Sequence, residues 1–261
     1  HMIYSRFWHK FLYDIGAVPT AEPYAKRTAQ GLILGPDGDK MSKSKGNVVD
    51  PNDVVNEFGA DVLRTYILFM GDYGSAAPWS ESSVKGCKRF LDRVADLYDI
   101  AKGSGATAEL ESAFHKTIKK VSEDYEAMKF NTAIAALMGL INDIFDHGSL
   151  TRDELSVFIK LLCPVAPHIC EEINEKLGNA KLLSLSEWPT YDEAKTIDST
   201  VEVAVQVNGK LRGTIMLPVD CPKDDAIAAA MADERVAAAI EGKTVVKQIA
   251  VPNKIVNIVV K

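Results

Sequence analysis

The chain has 261 residues, of which 47% are hydrophobic and 25% are charged, and its formal net charge is −6. This composition is typical of a soluble globular protein with one large domain or two to three small ones. The sequence has no apolar run long enough to cross a membrane, and its acidic balance argues against a surface that binds nucleic acid throughout. The first residues lack the apolar core of a signal peptide, so we expect a cytoplasmic protein.

The amino-terminal region predicts three short helices. An aromatic-rich segment over residues 4–13 precedes Gly16, which is placed to end a helix. Asp50 is a suitable N-cap for a helix over residues 51–58, and a further helix is predicted over residues 60–70. The apolar residues expected on the buried side of this last helix are Val62, Leu63, Tyr66, Ile67 and Met70.

The middle region has the apolar period of amphipathic helices throughout. One helix is predicted to start after Ser80, and two more are centred on residues 110–125 and 134–145. A fourth begins near Thr151 and is broken by the two prolines at residues 164–167 before the pattern resumes. Successive helices of this kind favour an up-and-down bundle.

The last region changes to the alternating pattern of β-strands. Residues 201–207 and 211–217 flank Asn208-Gly209, which is a strong hairpin signal. A helical stretch then runs from Pro222 to Ile240, interrupted near Asp233, and two strands follow over residues 244–251 and 255–260. The sequence therefore predicts a mainly α fold with a small α+β domain of order β-β-α-β-β. The predicted domains are residues 1–78, 79–195 and 196–261.

The four cysteines do not have the spacing of metal ligands, because the sequence contains no Cys-x-x-Cys pair and no Cys/His quartet. Cys163 and Cys170 lie among apolar residues and are expected to be buried. We therefore predict neither a zinc site nor a disulfide framework.

The strongest functional signal is the run Lys-Met-Ser-Lys-Ser-Lys-Gly-Asn at residues 40–47, here named the lysine loop. Three ammonium groups and two hydroxyls in a glycine-flanked segment can hold a polyphosphate, and the glycines allow the loop to move. A generic basic segment of this length is more often a solvated loop. The candidate ATP-binding residues are Lys40, Met41, Ser42, Lys43 and Ser44.

The order of residues in the lysine loop resembles the second signature of class I aminoacyl-tRNA synthetases. Gly46-Asn47 continues it as in the branch that handles leucine, isoleucine, valine and methionine. The stretch over residues 59–64 and the corner over residues 162–168 are similar to segments of that branch. The hairpin over residues 207–213, with residues 251–259, resembles the small C-terminal domain of bacterial leucyl-tRNA synthetases, and this disfavours a valyl or isoleucyl parent.

This resemblance implies an activity and a set of roles. The family activates leucine with ATP and transfers it to tRNA(Leu), and ATP enters as its Mg²⁺ complex without a metal bound by the protein. Lys43 and Lys40 would be catalytic, stabilising the leaving pyrophosphate. The family's His-Ile-Gly-His motif, leucine pocket and editing domain are not in this sequence. We therefore expect a C-terminal part of a monomeric synthetase that is inactive alone.

Candidate tRNA contacts lie in the last region. By resemblance to leucyl enzymes, which use their C-terminal domain against the tRNA, these are Lys210, Arg212 and Lys254. A basic side chain beside a tight turn is equally often only solvated. The alternative hypothesis for the chain as it stands is a tRNA-binding module without chemistry.

Overall fold

The structure is a computed structural model that describes residues 1–197 and 200–261. The described residues are mainly helical and include a small four-stranded sheet, which confirms the predicted fold class. The helices are α1 (Met2–Asp14), α2 (Pro51–Phe58), α3 (Ala60–Phe69), α4 (Glu81–Ile100), α5 (Ala108–Glu126), α6 (Phe130–His147), α7 (Arg152–Leu162), α8 (Pro167–Lys176), α9 (Lys223–Ala232) and α10 (Glu234–Ile240). The strands are β1 (Ile33–Leu34), β2 (Ala77–Pro78), β3 (Thr200–Val207), β4 (Lys210–Pro218), β5 (Val245–Val251) and β6 (Ile255–Val260).

The chain forms two compact units. The first comprises residues 1–107 and 117–189, and the second comprises residues 108–116 and 190–261. The domain boundaries predicted after residues 78 and 195 stay predictions, and residues 198 and 199 of the predicted third domain lie outside the described residues. Within the described ranges, none of the helices combines the length and the apolar character that crossing a bilayer requires.

Local signals place the ends of the first helices. Gly16 has φ +73° and its amide donates to the Tyr13 carbonyl, so it ends α1 as predicted. The Asp50 carboxylate accepts the Asn52 amide at 2.8 Å and caps α2, with Pro51 in the first helical position. Strand β1 pairs with β2 in parallel, and this pairing joins the segment before the lysine loop to the segment before α4.

Helix α3 begins at Ala60 as predicted and ends one residue earlier than expected, at Phe69. Val62, Leu63 and Tyr66 are buried, whereas Ile67 is 40% exposed, so the prediction that Ile67 is buried is wrong. The buried residues of α3 are Asp61, Val62, Leu63, Thr65 and Tyr66, and Ile67 lies outside the arc that they cover. The Tyr66 hydroxyl accepts the Ser80 amide at 2.7 Å, which links α3 to the residue that caps α4.

The helical bundle of the first unit has a continuous apolar core. Side chains spaced by three and four residues on α4, α6, α7 and α8 are fully or almost fully buried. Cys87, Cys163 and Cys170 belong to this core as free thiols. This confirms the predicted burial of Cys163 and Cys170. Core positions include Val84, Leu91, Val94, Ile134, Leu137, Ile141, Leu155, Phe158, Ile159, Leu162 and Ile173.

A corner over residues 164–167, here named the proline corner, connects α7 to α8, and its two middle residues, Val165 and Ala166, are buried. Arg64 of α3 donates to two of its carbonyls, through Nε to Val165 at 2.9 Å and through Nη2 to Pro164 at 2.9 Å. The carboxylate of Asp61, which is 8% exposed, accepts Nδ1 of His168 and the amide of Ile169, each at 2.8 Å. One face of α3 therefore supplies partners for main-chain groups that the helix break leaves without helical ones.

The second unit contains the four-stranded sheet, in the order β4-β3-β6-β5. The outer pairs are antiparallel hairpins, and the central pair β3 and β6 is parallel. Parallel neighbours need a long crossover, which α9 and α10 provide. The order β-β-α-β-β is as predicted, with the helical stretch divided at Asp233, whose carboxylate caps α10.

One face of this sheet packs against the two helices. Valines that alternate along β3 are buried with apolar residues from β6 and with small residues from α9. The hairpin turn has φ +50° at Asn208 and +75° at Gly209, the left-handed pair of a type I′ turn. The buried cluster is Val203, Val205, Val207, Leu217, Ala226, Ala230, Val236, Val256, Ile258 and Val260.

We expect Asp61→Ala to lower the free energy of unfolding by about 2 kcal/mol, because it removes a buried carboxylate and leaves the amide of the half-buried Ile169 without its partner. Urea unfolding measures this effect. The matched control is Asp92→Ala, since the Asp92 carboxylate pairs with Lys88 but is 57% exposed, and we expect a change within about 0.5 kcal/mol. Equal destabilisation in the two variants would contradict a structural role for Asp61.

The cysteines should differ in their reaction with a disulfide reagent. Burial raises the pKa of Cys87 to about 11 and raises the pKa of Cys163 and Cys170, so few thiolates form there near neutral pH. Cys221 is half-buried. We expect one thiol to react quickly in the folded chain, that reaction to disappear in Cys221→Ser, and the other thiols to react only after unfolding. Comparable rates for all four thiols would contradict their placement.

Candidate functional site

The lysine loop starts from a tight turn that follows β1. Lys40 forms an isolated antiparallel bridge with Leu34, and the turn between them is closed by the Gly35 amide, which donates to the Asp39 carbonyl at 2.8 Å. Gly38 has φ +80°, a conformation that glycine adopts without strain. The turn reverses the direction of the chain, and the bridge to Leu34 fixes the main chain of Lys40 beside β1.

The second half of the loop is a single 3-10 turn, Lys43–Lys45. The Lys45 amide donates to the Ser42 carbonyl at 3.0 Å, and Gly46 ends the turn with φ +67°. The hydroxyls of Ser42 and Ser44 lie 2.9 Å apart. All five predicted ATP-binding residues, 40–44, therefore lie on one short exposed or half-buried segment.

The three lysines of this loop are not equivalent. Lys45 Nζ lies 2.7 Å from a carboxylate oxygen of Asp39, and both side chains are more than half exposed. Among the described residues, neither Lys40 nor Lys43 has an acidic partner, and both side chains are exposed. Two ammonium groups thus remain available to an anion, and the third is partly neutralised by Asp39 of the preceding turn.

Asn47 connects the two halves of the loop. Its Oδ1 accepts the Ser42 amide at 2.9 Å, and its Nδ2 donates to the Asp37 carboxylate at 3.0 and 3.1 Å. The pKa of Asp37 is lowered, first by the hydrogen bond from the Asp39 amide and then by the one from Asn47. In the sequence Asn47 stands out only as part of the signature, since an amide and a carboxylate ten residues apart give no periodic signal.

Residues that follow the lysine loop lead directly into the bundle. Helix α2 begins four residues after Asn47, and α3 follows α2 after Gly59 alone. Through Arg64 and Asp61, α3 is bonded to the proline corner. No group of three or more metal-ligating side chains is found in the described part of the chain.

The three candidate cations of the second unit do not form one cluster. Lys210 and Arg212 lie on β4 next to the 208–209 turn, where Lys210 is opposite Val207 of β3. The carbonyl of Lys254 accepts the amide of Ala204, three residues back along β3. At roughly 3.3 Å per residue this is about 10 Å along the strand direction. Lys254 therefore lies well away from the 208–209 turn, at the other end of β6. All three side chains are exposed.

Asparagines hold both turns that carry these cations. The Asn257 side chain accepts the Gly209 amide at 3.2 Å, and Asn208 exchanges two hydrogen bonds with the main chain of Val260. At the other turn, Asn253 accepts the Asp220 amide and donates to the Asp220 carboxylate, each at 2.8 Å. These contacts fix the main chain from which Lys210 and Lys254 project.

The basic residues of α4 are largely satisfied within the first unit. Lys85 pairs with Glu81 at 3.0 Å and Lys88 pairs with Asp92 at 2.8 Å, in each case one helical turn apart. Arg93 donates to Asn142 at 2.7 Å and lies over the Phe145 ring. These three basic side chains are therefore engaged by neighbouring residues of the first unit.

Comparison with known families matches two parts of the chain. Residues 4–80 match the family model described as tRNA synthetases class I (I, L, M and V). Residues 108–227 match the family model described as the anticodon-binding domain of tRNA ligase. The lysine loop lies in the first matched part, and α5 to α8 lie in the second.

Individual proteins give the same result. The chain is 55% identical over its full length to a leucine–tRNA ligase of Alkaliphilus oremlandii (strain OhILAs), of which it covers 33%. All of the chain also superposes on 37% of the agnB2 LeuRS of Agrobacterium radiobacter K84, solved as a ternary complex with tRNA and LeuAMS, with 33% identity and a TM-score of 0.66.

The chain thus spans about a third of the length of the relatives that it matches. The match to leucine–tRNA ligase nevertheless extends over every part of the chain, including the lysine loop and the small sheet. The chain therefore belongs to the class I aminoacyl-tRNA synthetases and is homologous over its whole length to part of leucine–tRNA ligase.

Proposed function

We propose that the chain is part of a cytoplasmic, monomeric enzyme that activates leucine with ATP and transfers it to tRNA(Leu). The observation that carries this proposal is the 55% identity to leucine–tRNA ligase over the full chain. It favours a leucyl enzyme over the valyl and isoleucyl alternatives. The exposed Lys40 and Lys43, without acidic partners among the described residues, support a role in binding the triphosphate.

The proposed role of Lys43 follows from the charge that develops during activation. The leucine carboxylate attacks the α-phosphate of ATP, the bond to the β-phosphate breaks, and pyrophosphate leaves with additional negative charge. An ammonium group that meets this charge stabilises the transition state more than the bound substrate. Lys43 stands on the 3-10 turn with no competing carboxylate among the described residues, and Lys40 provides a second charge from the fixed end of the loop.

The remaining loop residues orient these lysines. The hydroxyls of Ser42 and Ser44 lie 2.9 Å apart; one donates to the other, and the second can donate to a phosphate oxygen while this contact is kept. Met41 is half-buried, so part of its side chain is shielded from solvent. ATP would arrive as its Mg²⁺ complex, because magnesium is commonly bound through substrate phosphates with few protein ligands.

For the second step we propose that Lys210, Arg212 and Lys254 contact the phosphate backbone of tRNA(Leu). The similar LeuRS was solved with tRNA, and these three exposed side chains lie in or beside turns whose main chain is hydrogen-bonded by asparagine side chains. Their separation along the sheet suits contacts with successive phosphates better than recognition of one base. A tRNA-binding module without chemistry is the alternative for the chain alone, and activity assays distinguish the two.

We expect Lys43→Ala, in a leucine–tRNA ligase that carries this chain, to lower kcat for leucine-dependent ATP–pyrophosphate exchange by about 10²- to 10³-fold, with a small change in KM for leucine. The matched control is Lys45→Ala, which removes a lysine of the same loop that is paired with Asp39. Its effect should be much smaller. Near-normal exchange in Lys43→Ala would overturn the assignment.

For tRNA we expect the triple variant of Lys210, Arg212 and Lys254 to alanine to bind tRNA(Leu) more weakly than the unmodified chain. The slope of log affinity against log salt should become shallower by roughly one for each phosphate that is no longer neutralised. The control is the double variant Lys85→Ala with Lys88→Ala, whose side chains are held in ion pairs. An unchanged salt slope in the triple variant would exclude these residues as phosphate contacts.

A further inference from the structure

The side chain of Asn47 contacts two other residues of the lysine loop and one residue of the turn that precedes it. It accepts the Ser42 amide at 2.9 Å, donates to the Asp37 carboxylate at 3.0 and 3.1 Å, and lies 3.4 Å from the Lys40 carbonyl. The chemistry of the partners fixes the orientation of the amide, because only Oδ1 can accept from an N–H and only Nδ2 can donate to a carboxylate. One side chain at the end of the loop therefore binds the start of the loop, its middle and the turn that precedes it.

Gly35 makes this contact possible. The residue is buried, and a Cβ at this position would lie 2.6 Å from Asp37 Oδ1 and 2.8 Å from Asn47 Nδ2. Neither polar atom could stay where it is if any other residue occupied position 35. The close approach of the Asp37 turn to Asn47 thus depends on a glycine outside the signature itself.

We propose that Asp37, Ser42 and Asn47 form a latch that sets the conformation of the lysine loop, with Asn47 as a positioning residue for Lys43. The kinetic consequence rests on the proposed function, whereas the latch itself does not. A loop whose main chain is already fixed loses less conformational entropy when it closes on a ligand. It also holds Lys43 at a defined place relative to Lys40, which matters because small displacements of a catalytic charge are costly.

The competing explanation is that each bond only completes a local turn. The Asp37 carboxylate also accepts the Asp39 amide at 3.1 Å, a contact within its own turn that does not need Asn47. If this were its whole role, changes at Asn47 would leave the loop amides unaffected. The two explanations therefore differ in whether Asp37 and Asn47 act as a pair.

An exchange of the two side chains tests this directly. Asn47→Asp places two carboxylates about 3 Å apart, and their repulsion should open the latch. In the double variant Asp37→Asn with Asn47→Asp, the new carboxylate can still accept the Ser42 amide, and the new amide can donate to it. The net charge and almost every hydrogen bond are then restored. Gly35→Ala should open the latch without changing any charge.

Hydrogen exchange of the 40–47 segment in the 261-residue chain is the first measurement. We expect the Ser42 amide to exchange about tenfold faster in Asn47→Asp and in Gly35→Ala, and to return to nearly the original rate in the double variant. The control is Asp39→Asn, which removes only the exposed ion pair with Lys45 and should leave Ser42 unchanged. Unchanged exchange in Asn47→Asp, or no recovery in the double variant, would overturn the latch.

Pyrophosphate exchange by a leucine–tRNA ligase carrying the same variants tests the positioning role. We expect kcat/KM for ATP to fall about tenfold in Asn47→Asp and to recover in the double variant, with KM for leucine unchanged. A general disruption of structure would not recover in this way. Suppose that Ser42 exchanges faster in Asn47→Asp and recovers in the double variant, but that kcat/KM for ATP does not change in the same way. The positioning role of Asn47 is then wrong. If Lys43→Ala is also fully active, the proposed function itself fails.

Discussion

The arrangement of the first unit depends on main-chain groups that need partners at the proline corner. Two prolines end one helix and begin the next, and between them lie the carbonyl of Pro164, an exposed residue, and that of Val165, a buried one. Arg64 donates to both carbonyls, and Asp61 accepts the amide of the half-buried Ile169, so a shift of α3 would break several of these hydrogen bonds at once. Because α2 and the lysine loop directly precede α3, this constraint anchors the loop at its downstream end.

The lysine loop differs from the helical bundle in what holds it together. It has little apolar burial, and hydrogen bonds among its own side chains and main chain define its shape. Such bonds exchange readily with water or with a polyanion, whereas the apolar contacts of the bundle do not. A segment of this kind on an anchored helix can close on a triphosphate and reopen without disturbing the core.

The sequence predicted those elements whose signals are local. Asp50, Gly16 and Asn208-Gly209 act on neighbouring residues, and the structure has the helix start, the helix end and the hairpin where they were expected. The parallel pairing of β3 with β6 was not predicted, because an alternating pattern fixes which face is buried but not which strand lies beside it. Asn47 and Asp37 were missed as a pair for a related reason, since their bond depends on how the turn folds back.

The same distinction applies to charge. The sequence alone does not show which lysines have acidic partners. In the structure Lys45, Lys85 and Lys88 are in ion pairs, whereas Lys40 and Lys43 have no acidic partner among the described residues. Over residues 35–47 three lysines face two aspartates, which leaves a formal charge of only +1. Repulsion among the charges of the loop is therefore small when no anion is bound. Its attraction for an anion comes from the two exposed ammonium groups of Lys40 and Lys43. A segment of an acidic protein can thus bind a polyphosphate, because the position of the charges counts for more than their sum.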